Sequence, residues 1–265
     1  MGVINVTPDS FSDGGKTIEP ARARDVAQAM ESAGADIIDI GAESTRPGAK
    51  PVNSVEELSR LLPVLKAIAP AVKIPISIDS YKADVAITAL DHGASIVNDI
   101  SAFEYDPRLG PMVAARGVPA ILMHTRGRPE DMYAHANYGD DVVGDVMNDL
   151  RRVTERAVGF GVPRERLIID PGIGFAKRAE HSIAVLAGLP RLAELGLPIL
   201  VGPSRKSFVT SATGPLPVED RDWPTAAAVT AAVLGGAHIV RVHNVEKMVP
   251  VVRLADAIGS FSRRQ

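Results

Sequence analysis

Ala33-Gly-Ala-Asp-Ile-Ile-Asp-Ile-Gly41 is the stretch on which the fold turns. A glycine suited to a left-handed helix cap is followed by a short, Ile-rich run without strict alternation, which is how a strand buried on both faces reads. The same texture returns at His92-Gly-Ala-Ser-Ile-Val-Asn-Asp99, Arg116-Gly-Val-Pro119 and Gly235-Gly-Ala-His238. Working outward, strands are expected at Gly2–Val6, Asp36–Gly41, Ile74–Asp79, Ser95–Ile100, Pro119–His124, Leu167–Asp170, Pro198–Gly202 and Ile239–His243. Helices are predicted between and after them, at Pro20–Ser32, Ser54–Ala69, Lys82–His92, Arg108–Arg116, Asp140–Phe160, Ala179–Leu195, Pro224–Leu234 and Glu246–Ser260. In the second of these, Val55, Leu58, Leu61, Leu62, Leu65 and Ile68 form one stripe, Ser54-Val-Glu-Glu57 reads as a capping box, and Pro63 should kink or loosen the helix.

Strand and helix alternating eight times with short returns make a (β/α)8 barrel the expected architecture. Two doubly wound domains would need a boundary, and no composition shift marks one. Spread over eight units, 265 residues leave about 33 per strand–helix pair, so residues 1–265 are expected to form one domain with nothing left for a second. A formal charge of −3 argues against general nucleic-acid binding, and the 46% hydrophobic content supplies a large core. Zero cysteines exclude disulfides, iron–sulfur clusters and thiol nucleophiles. With neither a signal peptide nor an 18-residue apolar run, a soluble cytoplasmic protein is expected.

Barrel chemistry sits at the carboxyl ends of the strands, and here every end is polar. In order they carry Asn5 and Thr7, Asp39 with Glu43 and Arg46, Asp79-Ser80, Asn98-Asp99, His124, Asp170, Ser204-Arg205-Lys206, and Arg241 with His243. Any single one serves equally well as a cap, but buried polar groups are costly without partners, so the set suggests a site for a polar ligand. Arg241 and His243 leave one face of a strand and, with Lys206 and Ser204, form a cationic corner where barrels often bind phosphate. Asp79, Asn98 and Asp170 are acceptor-rich and suit a heterocycle with several N–H donors. Asn5 is a neutral oxygen donor, adequate for Mg2+ when phosphate oxygens fill most of the octahedron and equally able to cap its strand. Two turn-rich loops, Thr7–Lys16 around Phe11 and Ala42–Val52 around Arg46, exceed ordinary strand–helix connections and are suited to covering a substrate. Gly172-Ile-Gly174 lacks the third glycine and the position of a dinucleotide fingerprint.

These motifs together resemble the dihydropteroate synthases. The resemblance rests on Asn5-Val-Thr-Pro-Asp-Ser-Phe-Ser-Asp-Gly-Gly15, Gly41-Ala-Glu-Ser-Thr-Arg-Pro-Gly48, Ile78-Asp79-Ser80, Val97-Asn98-Asp99, Leu122-Met-His124, Asp170-Pro-Gly-Ile-Gly-Phe175, Ser204-Arg-Lys-Ser-Phe208 and Val240-Arg-Val-His243, in family order across essentially the whole chain. It implies a TIM barrel that joins 4-aminobenzoate to a dihydropterin methyl diphosphate, with Mg2+, as a homodimer through the later helices. By the same resemblance, Asp79, Asn98, Asp170 and Lys206 hold the pterin, with Met123 against its face, and Asn5 is the Mg2+ ligand. Asn5, Thr45, Arg241 and His243 meet the diphosphate. Phe11, Thr45, Arg46, Pro47, Phe175, Ser204 and Lys206 line the aminobenzoate side, where sulfonamides also bind. Asp79, Asp170, Lys206, Arg241 and His243 then carry the catalysis.

Pro203 and Thr210 depart from the family pattern and flank the Ser204–Phe208 segment, whose geometry they bear on. The chain opens directly on the first strand, where the family pattern leads one to expect a short leader. A pterin-binding methyltransferase domain would share the barrel and the pterin pocket, and a silent homologue would bind pterin without turnover. Ser204-Arg-Lys206, Arg241-Val-His243 and the first long loop favour the synthase.

Overall fold

A computed structural model describes residues 1–7 and 19–262. Six strands, β1 (Gly2–Asn5), β2 (Ile38–Gly41), β3 (Ile76–Asp79), β4 (Ile96–Asp99), β5 (Ala120–Met123) and β6 (Leu167–Asp170), form one parallel sheet in chain order. Strands β7 (Leu200–Val201) and β8 (Ile239–Val240) pair with each other. Isolated parallel bridges, Ile169 to Ile199 and Gly2 to Val242, join that pair to β6 on one side and β1 on the other. The ring is closed, as the alternating texture predicts.

The helices α1 (Pro20–Ser32), α2 (Ser54–Ile68), α3 (Ala83–Asp91), α4 (Leu109–Arg116) and α5 (Val142–Gly159) fall where periodicity places them. Gly34, Gly93, Gly117 and Gly236 follow helices with positive φ, the left-handed stop that the repeated junctions predicted. Helix α2 is capped one residue earlier than expected: the Asn53 side chain accepts from the Glu56 amide, and Ser54 is already helical. Pro63 lies inside α2 without ending it.

The single helix predicted over Ala179–Leu195 is broken instead into α6 (Ala179–Ala187), α7 (Leu189–Leu192) and a 3-10 turn. Gly188 stands at the break, where a Cβ would lie 2.5 Å from the Val143 side chain of α5, and Pro190 cannot donate to the preceding turn. A short α8 (Phe208–Thr213), which burial of Phe208 and Val209 anchors, precedes α9 (Asp222–Leu234) and α10 (Val245–Ser262).

The barrel interior is layered. Ile96, Ile121 and Leu200, with Ile37, Ile168 and Ile239 packed against them, form an apolar plug separate from the main core between strands and helices. Strand side chains repeat every second residue on one face. Counting two residues on from Ile37, Ile96, Ile121, Ile168 and Ile239 reaches Asp39, Asn98, Met123, Asp170 and Arg241. The site is thus the next layer above the plug.

Candidate active site

The register sets Asn5, Gly41, Asp79 and Asn98 side by side on neighbouring strands, and Met123 beside Asp170. Asp39, fully buried two residues before Gly41 on β2, accepts from Asn98 Nδ2 at 3.2 and 3.3 Å and from Arg241 Nε at 2.7 Å. The Arg241 guanidinium also donates to Asp79 Oδ2 at 2.8 Å. Burial pushes the Asp79 carboxyl well above its usual range, against the opposing pull of Arg241. Asp170 is likewise raised by burial, while one oxygen accepts from the Gly172 amide at 2.7 Å.

Lys206 reaches in from beyond β7, donates to the Ile173 carbonyl and stands 4.5 Å from the Phe175 ring centroid. Its burial lowers the ammonium to about 8, although Asp170 works in the other direction. Arg241 and Lys206 do converge, both within 4 Å of the place a Cβ on Gly202 would take, but their corner is not separate from the carboxylates. Arg241 lies on the carboxylates, because a buried Asp39 and Asp79 without a counter-ion would be costly.

An apolar wall stands beside this floor: Met123, Tyr81 and Ile100 cluster, with Tyr105 and Phe175 packed against them. The loop from Asp170 to Phe175 depends on two glycines. A Cβ on Gly172 (φ +66) would lie 2.0 Å from the His124 carbonyl oxygen, and one on Gly174 (φ +79) would press on the Lys206 stem at 3.1 Å.

His243 and Ser204, expected on different parts of the ligand, are bonded to each other, with Nδ1 and Oγ 3.0 Å apart. Burial, then the nearby Arg241, lower the imidazole to about 4, so the ring is neutral. Thr45 is half-buried, Arg46 and Pro47 are exposed, and Arg46 is among the cations that depress His243. Phe11 lies outside the described residues. Pro203 is buried ahead of Ser204. Thr210 sits inside α8, its hydroxyl on the Ser207 carbonyl. Between them Arg205 takes φ +58, its guanidinium bonded to Asp222 at 3.0 Å.

Sequence reasoning left Asp39 and His124 as ordinary strand ends and missed Lys177. The Lys177 ammonium, 2% exposed, lies 2.7 Å from His124 Nδ1 and 3.1 Å from the Phe175 carbonyl. His124 Nε2 faces Asp149 Oδ2 at 3.1 Å. Burial and then Lys177 lower His124 to about 4. This network ties the ends of β5 and β6 together, beneath Phe175. The period-two count that finds Asp39 was available in the sequence, but no local pattern marks a loop lysine as buried. Asp99, by contrast, is a loop anchor: it accepts from the amides of Ser101 at 2.7 Å and Phe103 at 2.6 Å. A depression of about 510 Å³ lies beside the site and shares Met123 and His124 with it. Its charged groups are paired locally, Arg126 and Arg152 with Asp149.

Comparison with known proteins gives the family of the chain. A family model described as "Pterin binding enzyme" matches residues 1–243. The dihydropteroate synthase of Synechocystis is 46% identical, covering 97% of this chain and 89% of its own. The Yersinia pestis dihydropteroate synthase, solved with a sulfonamide drug complex, superposes with a TM-score of 0.92 at 41% identity, covering 98% of this chain and 94% of that one. The Xanthomonas albilineans enzyme, solved with 4-aminobenzoic acid, gives 0.90 at 40% identity over 97% and 92% of the two chains. The chain therefore belongs to the dihydropteroate synthase family of pterin-binding enzymes.

Proposed function

We propose that the chain condenses 4-aminobenzoate with (7,8-dihydropterin-6-yl)methyl diphosphate and releases diphosphate. The observation that carries this reading is a layer of acceptors, buried Asn98 and Asp170 with half-buried Asp79, shared with two half-buried cations, Lys206 and Arg241, and walled by Met123 and Phe175. A pterin offers N–H donors to such a floor and an aromatic face to such a wall. Departure of diphosphate leaves positive charge on the pterin methylene, and Asp79 and Asp170 face that charge from a site of low dielectric. The aryl amine is a weak nucleophile that needs this electrophile, and no general-base triad is required.

His243 meets the leaving group as a neutral donor. With Nδ1 accepting from the Ser204 hydroxyl, its proton sits on Nε2. Arg241 supplies charge, shared between the carboxylates and the ligand. Thr45, Arg46, Pro47, Phe175, Ser204 and Phe11 form the aminobenzoate side in this reading.

Among the described residues no group of three His, Asp or Glu could hold a metal. Asn5 offers one neutral oxygen at the end of β1, a donor that fits Mg2+ completed by diphosphate oxygens and water. Bound there, the ion would neutralise the departing diphosphate.

Residues 1–265 are read as one pterin-binding domain and the protein as a cytoplasmic homodimer. Among the described residues no helix is long and apolar enough to cross a membrane. On α10, Leu254, Ile258 and Phe261 are 65%, 49% and 68% exposed at helical spacing, an apolar stripe that suits a second copy. Phe261→Asp should shift the protein to a monomer on gel filtration. Release of diphosphate on mixing both substrates with Mg2+ tests the reaction, and a chain that binds the pterin diphosphate without releasing it refutes it. A sulfonamide should compete with aminobenzoate.

A further inference from the structure

Glu43, in the 42–52 loop that follows β2, does not face the pterin floor. One carboxylate oxygen accepts from the Tyr81 hydroxyl at 2.8 Å. The other accepts from the Val52 amide at 3.2 Å and from Lys82. The Val52 bond spans nine residues and so joins the two ends of the loop. Lys82 is itself shared with Glu57 of α2, and the Glu43, Lys82 and Glu57 side chains are only 6%, 12% and 1% exposed. Arg60 of α2 donates to the Ala42 carbonyl at 3.3 Å.

The far side of the loop is tied as well. The Gly48 amide donates to the Pro129 carbonyl at 2.9 Å, in the loop after β5. That loop returns to Tyr81: Arg128 stands 4.2 Å from the Tyr105 ring centroid, Tyr105 bonds the Gly127 carbonyl, and Tyr105 packs edge-on to Tyr81 at 5.2 Å. Four strand-end loops are thereby linked in a ring. A buried carboxylate–ammonium–carboxylate set is a poor way to gain stability, since apolar replacements often do as well, and its use is in fixing geometry.

We propose that Glu43, held by Lys82 and Tyr81, is a positioning residue for aminobenzoate: it clamps the base of the 42–52 loop and so fixes Thr45, Arg46 and Pro47. This rests on the proposed assignment of those three residues to the aminobenzoate side. Glu43 touches no reacting atom, and of the three residues it fixes only Thr45 is also assigned to the diphosphate, so its removal acts mainly on aminobenzoate.

Amide hydrogen exchange and steady-state kinetics on the full chain test it. In Glu43→Ala, exchange at Val52 should accelerate about tenfold or more while Ile78 and Val97 in the strands keep their rates. The KM for aminobenzoate should rise about tenfold, and that for the pterin diphosphate should stay within about twofold. Glu43→Gln keeps the shape but only one of the two acceptor oxygens and loses the charge facing Lys82, so it should show both effects in reduced measure. Tyr81→Phe, which removes one hydroxyl, should show the same pattern in smaller measure and serves if Glu43→Ala does not fold. Unchanged exchange at Val52, or equal rises in both KM values, overturns the clamp. The exchange measurement needs no turnover: a wild-type chain that makes no dihydropteroate overturns the assigned reaction, while Val52 still decides whether the clamp exists.

Discussion

Asp79 and Asn98 lie at the ends of four-residue strands whose register aligns them, whereas Ser204, Lys206 and His243 lie beyond strands of two residues and are held by side-chain bonds. Backbone ladders place the floor of the site, and loops stitched by individual contacts place its rim. A floor residue can therefore change without moving its neighbours, so its substitution reads chemistry. A rim residue changes geometry along with chemistry.

The largest effect expected from this contrast is Asp79→Asn, which keeps shape and register but removes the charge opposite the pterin methylene. Turnover at saturating substrates should fall by about 10²- to 10³-fold, and near-normal diphosphate release would remove Asp79 from the mechanism. Next comes Lys177→Met in the loop scaffold. It leaves the Phe175 carbonyl and His124 Nδ1 without their buried donor, so urea unfolding should show a loss of about 1–3 kcal/mol.

Lys206 sharpens the contrast through pH, since it belongs to the rim but reaches the floor. Its ammonium is cationic below about 8 and neutral above, so kcat/KM should fall toward tenfold per pH unit above that value. Lys206→Arg, whatever its rate, should lack that limb. The smallest effect is expected at Ala176, which holds φ +47 in the rim. Ala176→Gly relieves that strain and should stabilise by about 1 kcal/mol, and a measured loss would show that the strain is absent.

The ladder-built part was the more legible in sequence. Strands buried on both faces leave continuous apolar runs, and the period of two carries from Ile96 to Asn98 or from Ile168 to Asp170 without any tertiary information. The rim resisted because its determinants are long-range. That Lys177 is buried against His124, or that Glu57 meets Lys82 rather than capping its own helix, depends on which loops come together. The break at Gly188 is of the same kind, since it stands against Val143 across a helix contact. Arg241 was found, but its place on Asp39 and Asp79 follows from burial, which composition does not reveal.

The two isolated bridges that close the barrel also set an order of failure. The β7–β8 pair brings Ser204, Lys206, Arg241 and His243 to the site, yet it joins β6 and β1 of the six-strand sheet through one isolated bridge on each side. On warming, these seams should fray before the sheet does, so catalysis is lost while most of the secondary structure survives. Inactivation several degrees below the circular-dichroism transition, with early exchange at the Val242 amide, which donates to the Met1 carbonyl across the seam, would mark the barrel as a part-assembled ring that its own last quarter completes.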